Sequence, residues 1–299
     1  MKLRHFIFFL STTIFLFSFS EQEIESGKRF KIPARVFDIW KEMGVSEWHD
    51  TIAVDSFQVT ELVTLGEYRK YLVAIKKDSS LKFYQSQFPD SSMCAPDAYV
   101  KYVNGSRYDD FPVSGISWDN ALNFCKWKTV NANPKDSFSI VYRLPEVSEW
   151  VAAYKFLNEK HVDNDFNGNY SDWTLSAKDD TYYDFTHAKM NPSFSDYDYS
   201  YWARPNENAV LKRKVSMGNS FLFSQPTLFD FYSWGYYEFH GYAHIGFRCI
   251  IKKVHPLIAN GKTGNFNYSN WSEEHEFLHR WGLIKQTNLK TNVKNGLHQ

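Results

Sequence analysis

The sequence predicts a globular fold of amphipathic helices and short strands joined by long loops. Three observations support this class. Three segments carry apolar residues at helical spacing, residues 52–59 form a strand-like run, and residues 160–250 are rich in Asn, Asp, Ser, Tyr and Gly. The 26 Phe, 19 Tyr and 10 Trp offer large apolar surfaces, so the chain can build a core although its aliphatic content is low.

Each of the three helices is predicted from a start signal followed by an apolar face. Thr64 and Glu67 match a capping box, in which both side chains bond to backbone amides of the first turn. Ser117 can cap the second helix, and Pro145 suits the first turn of the third. A core-packing role is the better interpretation of each face. The predicted inward faces are Leu65, Tyr68, Tyr71 and Leu72; Trp118, Ala121, Leu122 and Cys125; and Trp150, Ala153, Tyr154 and Leu157.

The two ends of the chain differ in composition from its body. Residues 1–20 match a secretory signal peptide, with a basic start, an apolar run over residues 6–19 and small residues at the cleavage position. That run is shorter than the roughly 20 residues a membrane-spanning helix needs, so a cleaved signal is favoured over an uncleaved anchor. We expect an N-terminal arm over residues 21–50, the domain over residues 51–252 and a polar C-terminal extension over residues 253–299. The protein is therefore expected to be exported, to the periplasm, the cell surface or the medium.

Charge and cysteine content narrow the function classes. The chain has 34 Lys and Arg against 34 Asp and Glu, so it has no broad basic field, and we expect no nucleic-acid partner. No later apolar run is long enough to predict a transmembrane segment after signal cleavage. The basic run 212–214 is expected on a solvated surface. Cys94, Cys125 and Cys249 allow one disulfide in an exported protein, and their spacing does not say which two pair.

Six short patterns occur in one order across about residues 52–251. They are residues 54–57 (VDSF), 117–121 (SWDNA), 142–145 (YRLP) followed by Glu149-Trp150, 168–169 (GN) followed by 172–174 (DWT), 218–221 (GNSF) and 245–249 (IGFRC). Together they resemble the formylglycine-generating, sulfatase-modifying-factor family. The resemblance implies a single α+β domain related to C-type lectins, with sparse regular secondary structure and long loops.

The resemblance also indicates what this chain lacks. The family's catalysis uses two cysteines shortly after the segment that corresponds to residues 218–221, and their thiolates bind a copper ion. Counted without gaps, Phe223 and Leu228 occupy those two positions, and no Cys occurs between residues 126 and 248. Hydrocarbon side chains neither ligate copper nor form a mixed disulfide. We therefore expect no copper, no formylglycine generation and no catalytic residue at these positions.

The resemblance implies one disulfide. Cys125 and Cys249 correspond to family cysteines that bridge the second helix to the last strand. Such a bridge would close a loop of about 124 residues and stabilise the fold by about 2–5 kcal/mol. Two buried free thiols are the alternative. Cys94 lies in a Ser-, Pro- and Asp-rich stretch and is expected to be a free thiol.

The resemblance also implies a cation site in the segment 165–172. Asp165 and Asp172 offer carboxylates there, and Gly168 and Tyr170 offer backbone carbonyls. Hard oxygen ligands on a tight turn suit Ca²⁺, which makes calcium the expected cofactor. An Asx-rich turn without an ion is the alternative.

An aromatic stretch near the end of the domain offers a candidate binding face. Exposed Tyr and Trp side chains suit recognition, and loops of lectin-type folds often form the ligand surface. An aromatic core formed by alternate members is the competing interpretation. His240 and His244, which flank Gly241 and Tyr242, are expected to serve in packing and loop hydrogen bonds rather than in metal binding. The candidate face comprises Phe229, Tyr232, Trp234, Tyr236 and Tyr237.

Residues 275–279 (HEFLH) spell the zincin pattern, in which two His one helical turn apart bind zinc and the Glu between them acts as a base. Lys285 stands where a third His would extend the pattern, and no Asp or Glu follows Glu276. A short tail also lacks the walls that dry and shape a catalytic site. A surface amphipathic helix is therefore preferred, and a zinc hydrolase is the weakest function considered.

These observations predict an exported domain of the sulfatase-modifying-factor type that binds a protein or glycan partner in a bacterial envelope or outside the cell. The prediction rests on the missing thiols and on relatives that serve as envelope or motility scaffolds, since a fold often outlives its chemistry. The second interpretation is a divergent enzyme of the same family, with other residues such as a histidine-bound iron.

Overall fold

In a computed structural model, the described residues of the protein form two four-stranded sheets and three helices of 13 to 15 residues, with shorter elements around them. The predicted signal peptide at residues 1–20 and the aromatic positions Phe229 and Tyr232 lie outside the part of the chain that the structure describes. The described residues are 28–42, 49, 51–133, 138–166, 168–177, 213–222, 233–255, 259–260, 265–266 and 272–284.

The helices are short to medium in length, and the longest described one has 15 residues. Within the described ranges, no helix combines the length and the apolarity needed to cross a bilayer. The helices are α1 (Ile39–Glu42), α2 (Leu65–Asp78), α3 (Leu81–Ser86), α4 (Pro96–Asn104), α5 (Trp118–Ala132), α6 (Val147–Glu159) and α7 (Glu273–Arg280), with 3₁₀ turns at Ser91–Met93 and Ser106–Tyr108.

The strands form two larger sheets and two small pairs. The first sheet has the order β1-β4-β10-β5 and is antiparallel throughout, whereas the second has the order β8-β7-β6-β9 with β6 and β9 parallel. β2 pairs with β3, and β11 with β12. This mixture of helices and largely antiparallel sheets is the predicted α+β class. The strands are β1 (Arg29–Ile32), β2 (Arg35–Asp38), β3 (Thr51–Val54), β4 (Phe57–Thr60), β5 (Ile140–Arg143), β6 (Ser171–Ala177), β7 (Arg213–Met217), β8 (Ser233–Tyr237), β9 (Ile245–Gly246), β10 (Ile250–Lys253), β11 (Ala259–Asn260) and β12 (Asn265–Phe266).

The predicted helix starts are confirmed for α2 and α5. Thr64 Oγ1 accepts a hydrogen bond from the Glu67 amide at 3.2 Å, and the residues predicted to face inward on both helices are buried. The third start was placed too early. Helix α6 begins at Val147, and Glu149 Oε2 accepts from the Glu146 amide at 3.0 Å. Pro145 thus precedes the helix. Glu146 is the cap residue, and Glu149, three residues later, completes the capping box.

The strand-like run 52–59 is two strands in two different sheets, which corrects the prediction of one. β3 ends at Val54 and pairs with β2, whereas β4 begins at Phe57 and pairs with β1 and β10. The reason lies in the apolar pattern. Ile52 and Val54 are buried before the turn and Phe57 and Val59 after it, so the alternation changes phase at the turn and one strand cannot keep all four on one face.

Segments on both sides of the predicted domain, residues 51–252, contribute to the core. β1 pairs with β4, and Ile32 is buried among residues of α6 and β4. At the other end, Phe277 and Leu278 of α7 are buried in the core cluster that α2 and α5 line. Helix α7 is therefore packed inside rather than on a polar surface extension, because its apolar face is needed to cover β5.

Lys214 corrects a further expectation, since the basic run 212–214 was expected on a solvated surface. Its side chain is fully buried on β7, the strand that lies between β8 and β6. Lys214 Nζ lies 4.2 Å from the ring centroid of Trp118 and 3.8 Å from Glu238 Oε2. A ring face and a carboxylate thus stabilise the buried ammonium.

Candidate functional site

A strip of contacting rings lies along the loop between β8 and β9 and reaches the turn that follows β7. Neighbouring ring centroids along it are 4.7–6.4 Å apart. Phe221, Phe239 and Tyr237 are 50%, 54% and 37% exposed, so the strip faces solvent at both of its ends. Exposed aromatic rings at the ends of a series of contacting rings make this a candidate binding surface. We call it the aromatic strip; its members in spatial order are Phe221, His244, Tyr242, His240, Phe239 and Tyr237.

The middle of the aromatic strip rests on a buried polar pair. His244 Nε2 lies 2.9 Å from Tyr236 Oη, and burial lowers the pKa of His244, which keeps its imidazole neutral near pH 7. The Tyr236 ring packs edge-on against buried Trp173, with centroids 6.2 Å apart. Tyr236 thus supports the strip from beneath, while Tyr237 belongs to the surface, as neighbours on a strand point to opposite faces.

This arrangement places two members of the predicted binding face. Tyr237 lies in the strip and Tyr236 below it. Trp234 belongs to β8, but its side chain is outside the described part of the structure, as are Phe229 and Tyr232.

Two glycines fix the loop that carries the strip. The Asp90 amide donates to Gly115 O at 2.7 Å, and the Gly115 amide donates to Tyr242 O at 3.0 Å. Gly115 has φ +74°, and a Cβ at Gly241 would overlap the Gly115 carbonyl oxygen. The close approach of these backbones holds Asp90 beside His240 and Tyr242, so the surface is organised before a ligand arrives.

Asp90 provides an ionised acceptor at the edge of the strip. Its Oδ1 accepts from the Ser92 amide at 2.8 Å and from Ser92 Oγ at 2.7 Å, and its Oδ2 lies 3.9 Å from His240 Nδ1. The Ser92 hydroxyl bond lowers the pKa of Asp90 and outweighs burial, which raises it. The carboxylate is therefore charged at neutral pH, acceptor-only and partly open to solvent.

Arg248 occupies the position between the two carboxylates that were predicted to bind calcium. Its Nη1 donates to Asp165 Oδ1 at 2.7 Å, and its Nε donates to Asp172 Oδ2 at 2.9 Å. The remaining oxygen of Asp165 accepts from the Leu62 amide, and Asp172 Oδ2 also accepts from Trp150 Nε1. The predicted partners Gly168 and Tyr170 lie in the bend before β6.

These residues do not fit Ca²⁺. Calcium takes roughly six to eight oxygen ligands, and within the described residues only Asp172 Oδ1 of the two carboxylates lacks a hydrogen-bond partner. The guanidinium already supplies the positive charge. Burial raises the pKa of Asp165, but Arg248 outweighs it and the net pKa is lowered; at fully buried Asp172 desolvation prevails over Arg248 and the pKa is raised.

A second buried ion pair uses the signature residues of β5 and α6. Arg143 Nη1 and Nη2 donate to the two Glu149 oxygens at 2.7 and 2.9 Å, a bidentate pair that is shut off from solvent. Lys252 Nζ lies 3.0 Å from Glu149 Oε1. Burial would raise the pKa of Glu149, but Arg143 and Lys252 outweigh burial and lower it to about 2. The signature is therefore explained by structure, since it joins β5, α6 and β10.

Arg143, Glu149, Asp172 and Arg248 of the two ion pairs all belong to the six short patterns of the sequence. Comparison with known proteins gives a match to part of this region. Residues 41–163 match the family model of the sulfatase-modifying factor enzyme 1-like domain. The match includes Arg143 and Glu149 of the second ion pair and ends before Asp172 and Arg248 of the first. A search of curated proteins gave no match.

Two solved structures resemble three quarters of the chain at low TM-scores. A chain described as "Crystal Structure of CarF" is 14% identical, with a TM-score of 0.46, and the alignment covers 75% of this chain and 98% of that one. Treponema denticola variable protein 1 is 13% identical, with a TM-score of 0.45, over 75% of this chain and 94% of that one.

His275, the first histidine of the zincin pattern, uses both ring nitrogens in hydrogen bonds. The Ser272 amide donates to His275 Nδ1 at 3.0 Å, and His275 Nε2 lies 2.8 Å from His255 O. Nδ1 is therefore an acceptor and Nε2 carries the proton; Nδ1 takes part in the cap of α7, and Nε2 donates to the His255 carbonyl outside the helix. Burial lowers the pKa of His275. This geometry does not fit a zinc site, and no cluster of three metal-binding side chains occurs among the residues described.

The cysteines lie partly as the resemblance implied. Cys125 and Cys249 are both buried, and their Sγ atoms are 3.6 Å apart, in contact but not bonded. Burial raises the pKa of Cys125. Cys94 is a half-buried free thiol far along the chain from both. The disulfide stays a prediction, which the contact distance makes testable.

The positions expected to hold the family's thiol pair, Phe223 and Leu228, lie outside the described ranges. The last described residues before them, Phe221 and Leu222, are 50% and 57% exposed. The residues available do not fit copper, because the chain has no Cys between residues 126 and 248 and its only contacting thiols lie in the core.

Sequence reasoning missed three members of the surface, namely Phe221, Phe239 and Asp90. The sequence does carry a turn signal at Asp90, because an Asp side chain can accept a hydrogen bond from the backbone amide two residues later, here that of Ser92. Phe239 and Phe221 carried none, since an exposed Phe cannot be distinguished from a buried one without its surroundings.

Proposed function

We propose that the protein is an exported binding domain of the sulfatase-modifying-factor type, built as a single C-type-lectin-related domain and without formylglycine-generating activity. Its partner would be a protein or glycan of the cell envelope. The observation that carries the proposal is the aromatic strip, in which contacting rings present exposed faces at Phe221, Phe239 and Tyr237.

Rigidity supports a binding role for this surface. The strip rests on Tyr236, His244 and Trp173, and the glycine contact between Gly115 and Gly241 fixes its loop. Binding to an organised surface costs little conformational entropy, which favours affinity. Aromatic side chains also supply large contact areas with few rotatable bonds.

The side chains that could bind a metal ion support a role without formylglycine generation. The chain offers no thiol near residues 218–228, the carboxylates at residues 165 and 172 are held by Arg248, and His275 is engaged in a helix cap. Each of these groups is committed to holding the fold. The proposal therefore assigns function to a surface and not to a reactive group.

Retention by an envelope extract tests the proposal. The mature chain is immobilised and compared with the variants Phe239→Ala and Phe111→Ala. Both Phe side chains are 54% exposed, but Phe111 contacts Tyr108 and not the strip, so the second variant controls for loss of exposed apolar area. We expect envelope material to be retained by the wild type and by Phe111→Ala and to be lost with Phe239→Ala. Equal retention by all three would contradict the proposal.

A further inference from the structure

The aromatic strip combines two kinds of contact that a single ligand class satisfies. Phe239 and Tyr237 are stacked at 30° with centroids 5.5 Å apart, so they present neighbouring ring faces at similar angles. Asp90 and His240, the latter with 55% of its side chain exposed, line the adjoining edge with an ionised acceptor and an imidazole. This end of the strip thus places two exposed aromatic rings beside a hydrogen-bonding rim.

We propose that the aromatic strip binds a neutral oligosaccharide, with sugar rings lying on Phe239 and Tyr237 and hydroxyl groups donating to the Asp90 carboxylate. This inference rests on the proposed binding function and names the ligand class. Axial C–H groups give a sugar ring an apolar face that matches the electron-rich faces of the aromatic rings. Its hydroxyls both donate and accept, so they match Asp90 and His240 together.

The polar rim distinguishes this ligand from a proline-rich peptide, which also binds aromatic grooves. A proline-rich segment has few N–H donors, so it would displace water from the Asp90 carboxylate without offering a donor in its place, at a cost in affinity. The same carboxylate disfavours an anionic sugar by like-charge repulsion, which points to a neutral one.

The length of the strip favours an oligosaccharide over a single sugar. The strip continues past His244 to Phe221, whose ring lies 5.9 Å from that of Tyr170, so exposed rings occur at both ends. A monosaccharide would cover one end only. A chain of several sugars can contact Tyr237 and Phe221 together and gain from both, which predicts that affinity rises with chain length.

Saturation-transfer NMR and calorimetry test the proposal with neutral glucose, mannose and N-acetylglucosamine tetrasaccharides and with a proline-rich peptide as the competing probe. At least one tetrasaccharide is expected to bind, and Phe239→Ala and Asp90→Asn should each weaken it about tenfold, equivalent to about 1.4 kcal/mol. Phe111→Ala should leave it within about twofold. Asn can still cap the Ser91–Met93 turn, so Asp90→Asn removes the charge and keeps the loop.

Three results would overturn the proposal: no binding of any tetrasaccharide, binding that Phe239→Ala and Asp90→Asn leave unchanged, or binding of the peptide in place of the sugars. Strip-dependent retention of envelope material with no tetrasaccharide bound would overturn the sugar assignment alone. Loss of both kinds of binding would overturn the binding function as well. Near-ultraviolet circular dichroism of each variant checks that the fold is kept.

Discussion

Arg248 Nε donates to Asp172 Oδ2 at 2.9 Å, and both side chains are shut off from solvent. The same guanidinium bonds to Asp165 at its other end and lies over the Phe166 ring, 3.6 Å from the centroid. The segment before β6 is therefore held to the last strands by an arginine. An internal cation thus lies between the two carboxylates that the sequence predicts as calcium ligands.

The first prediction concerns calcium and Arg248. EGTA is expected to leave the Tm of the wild type unchanged, because Arg248 already bonds to both Asp165 and Asp172. Arg248→Met should lower the free energy of unfolding by about 3–5 kcal/mol, since it leaves a buried carboxylate unpaired. Urea denaturation measures the second effect.

Lys28→Met is the matched control for Arg248→Met. Lys28 also pairs with a carboxylate, Glu61, but 64% of its side chain is exposed, so its removal should cost under about 1 kcal/mol. A calcium-induced rise in the Tm of the wild type would count against this account of the segment, because a ligand that binds the native state stabilises it.

The second prediction concerns acid stability and Glu149. Its pKa is about 2 in the folded protein, below the usual value of 4.5. A lowered pKa contributes stability that is fully present above the unfolded value and is lost as the pH falls toward the folded value. The wild type should therefore lose stability from about pH 5 down to pH 2, and Glu149→Gln should lack this part of the loss. Chemical denaturation at several pH values, compared between the two proteins, isolates the contribution; parallel curves would refute it.

The third prediction concerns helix α7. Phe277 is fully buried and lies under the Arg143 guanidinium, 5.7 Å from its ring centroid. Phe277→Ala should destabilise the protein by about 3–5 kcal/mol, as for a large core side chain. Val73→Ala, at a position 64% exposed, should change stability by no more than about 0.5 kcal/mol. If Phe277→Ala behaved like Val73→Ala, α7 would be a surface helix after all.

The fourth prediction concerns the two core thiols. Air-oxidised protein, unfolded without reductant and treated with iodoacetamide, should take up one label, at Cys94, because Cys125 and Cys249 lie 3.6 Å apart and close into a disulfide. Reduction should then lower stability by about 2–5 kcal/mol. Labelling of all three cysteines in the unreduced protein would argue for free thiols.

The parts of the fold that sequence predicted are those set by local signals. The caps at Thr64 and Ser117 and the buried faces of α2 and α5 follow from spacing along one helix. The run 52–59 contains two strands and not one, because residues 55 and 56 reverse the alternation of buried and exposed side chains. Strand propensity alone does not show this reversal.

The rest depended on contacts between distant segments. Lys214 lies in a basic run, and only the position of β7 between two other strands reveals that it is buried against Trp118. The sequence did not indicate that Arg248 bonds to Asp165 and Asp172, because Arg248 follows them by about 80 residues. A local pattern cannot show whether a carboxylate binds a cation or a side chain from a distant segment.

Incubation of the purified chain, supplied with copper, with a peptide that contains the Cys-x-Pro-x-Arg pattern tests most directly the proposal that this protein lacks formylglycine-generating activity. Mass spectrometry and capture with a hydrazide report conversion of the peptide cysteine to an aldehyde. The account predicts an unmodified peptide, because no thiol lies between residues 126 and 248. Turnover to the aldehyde would contradict it.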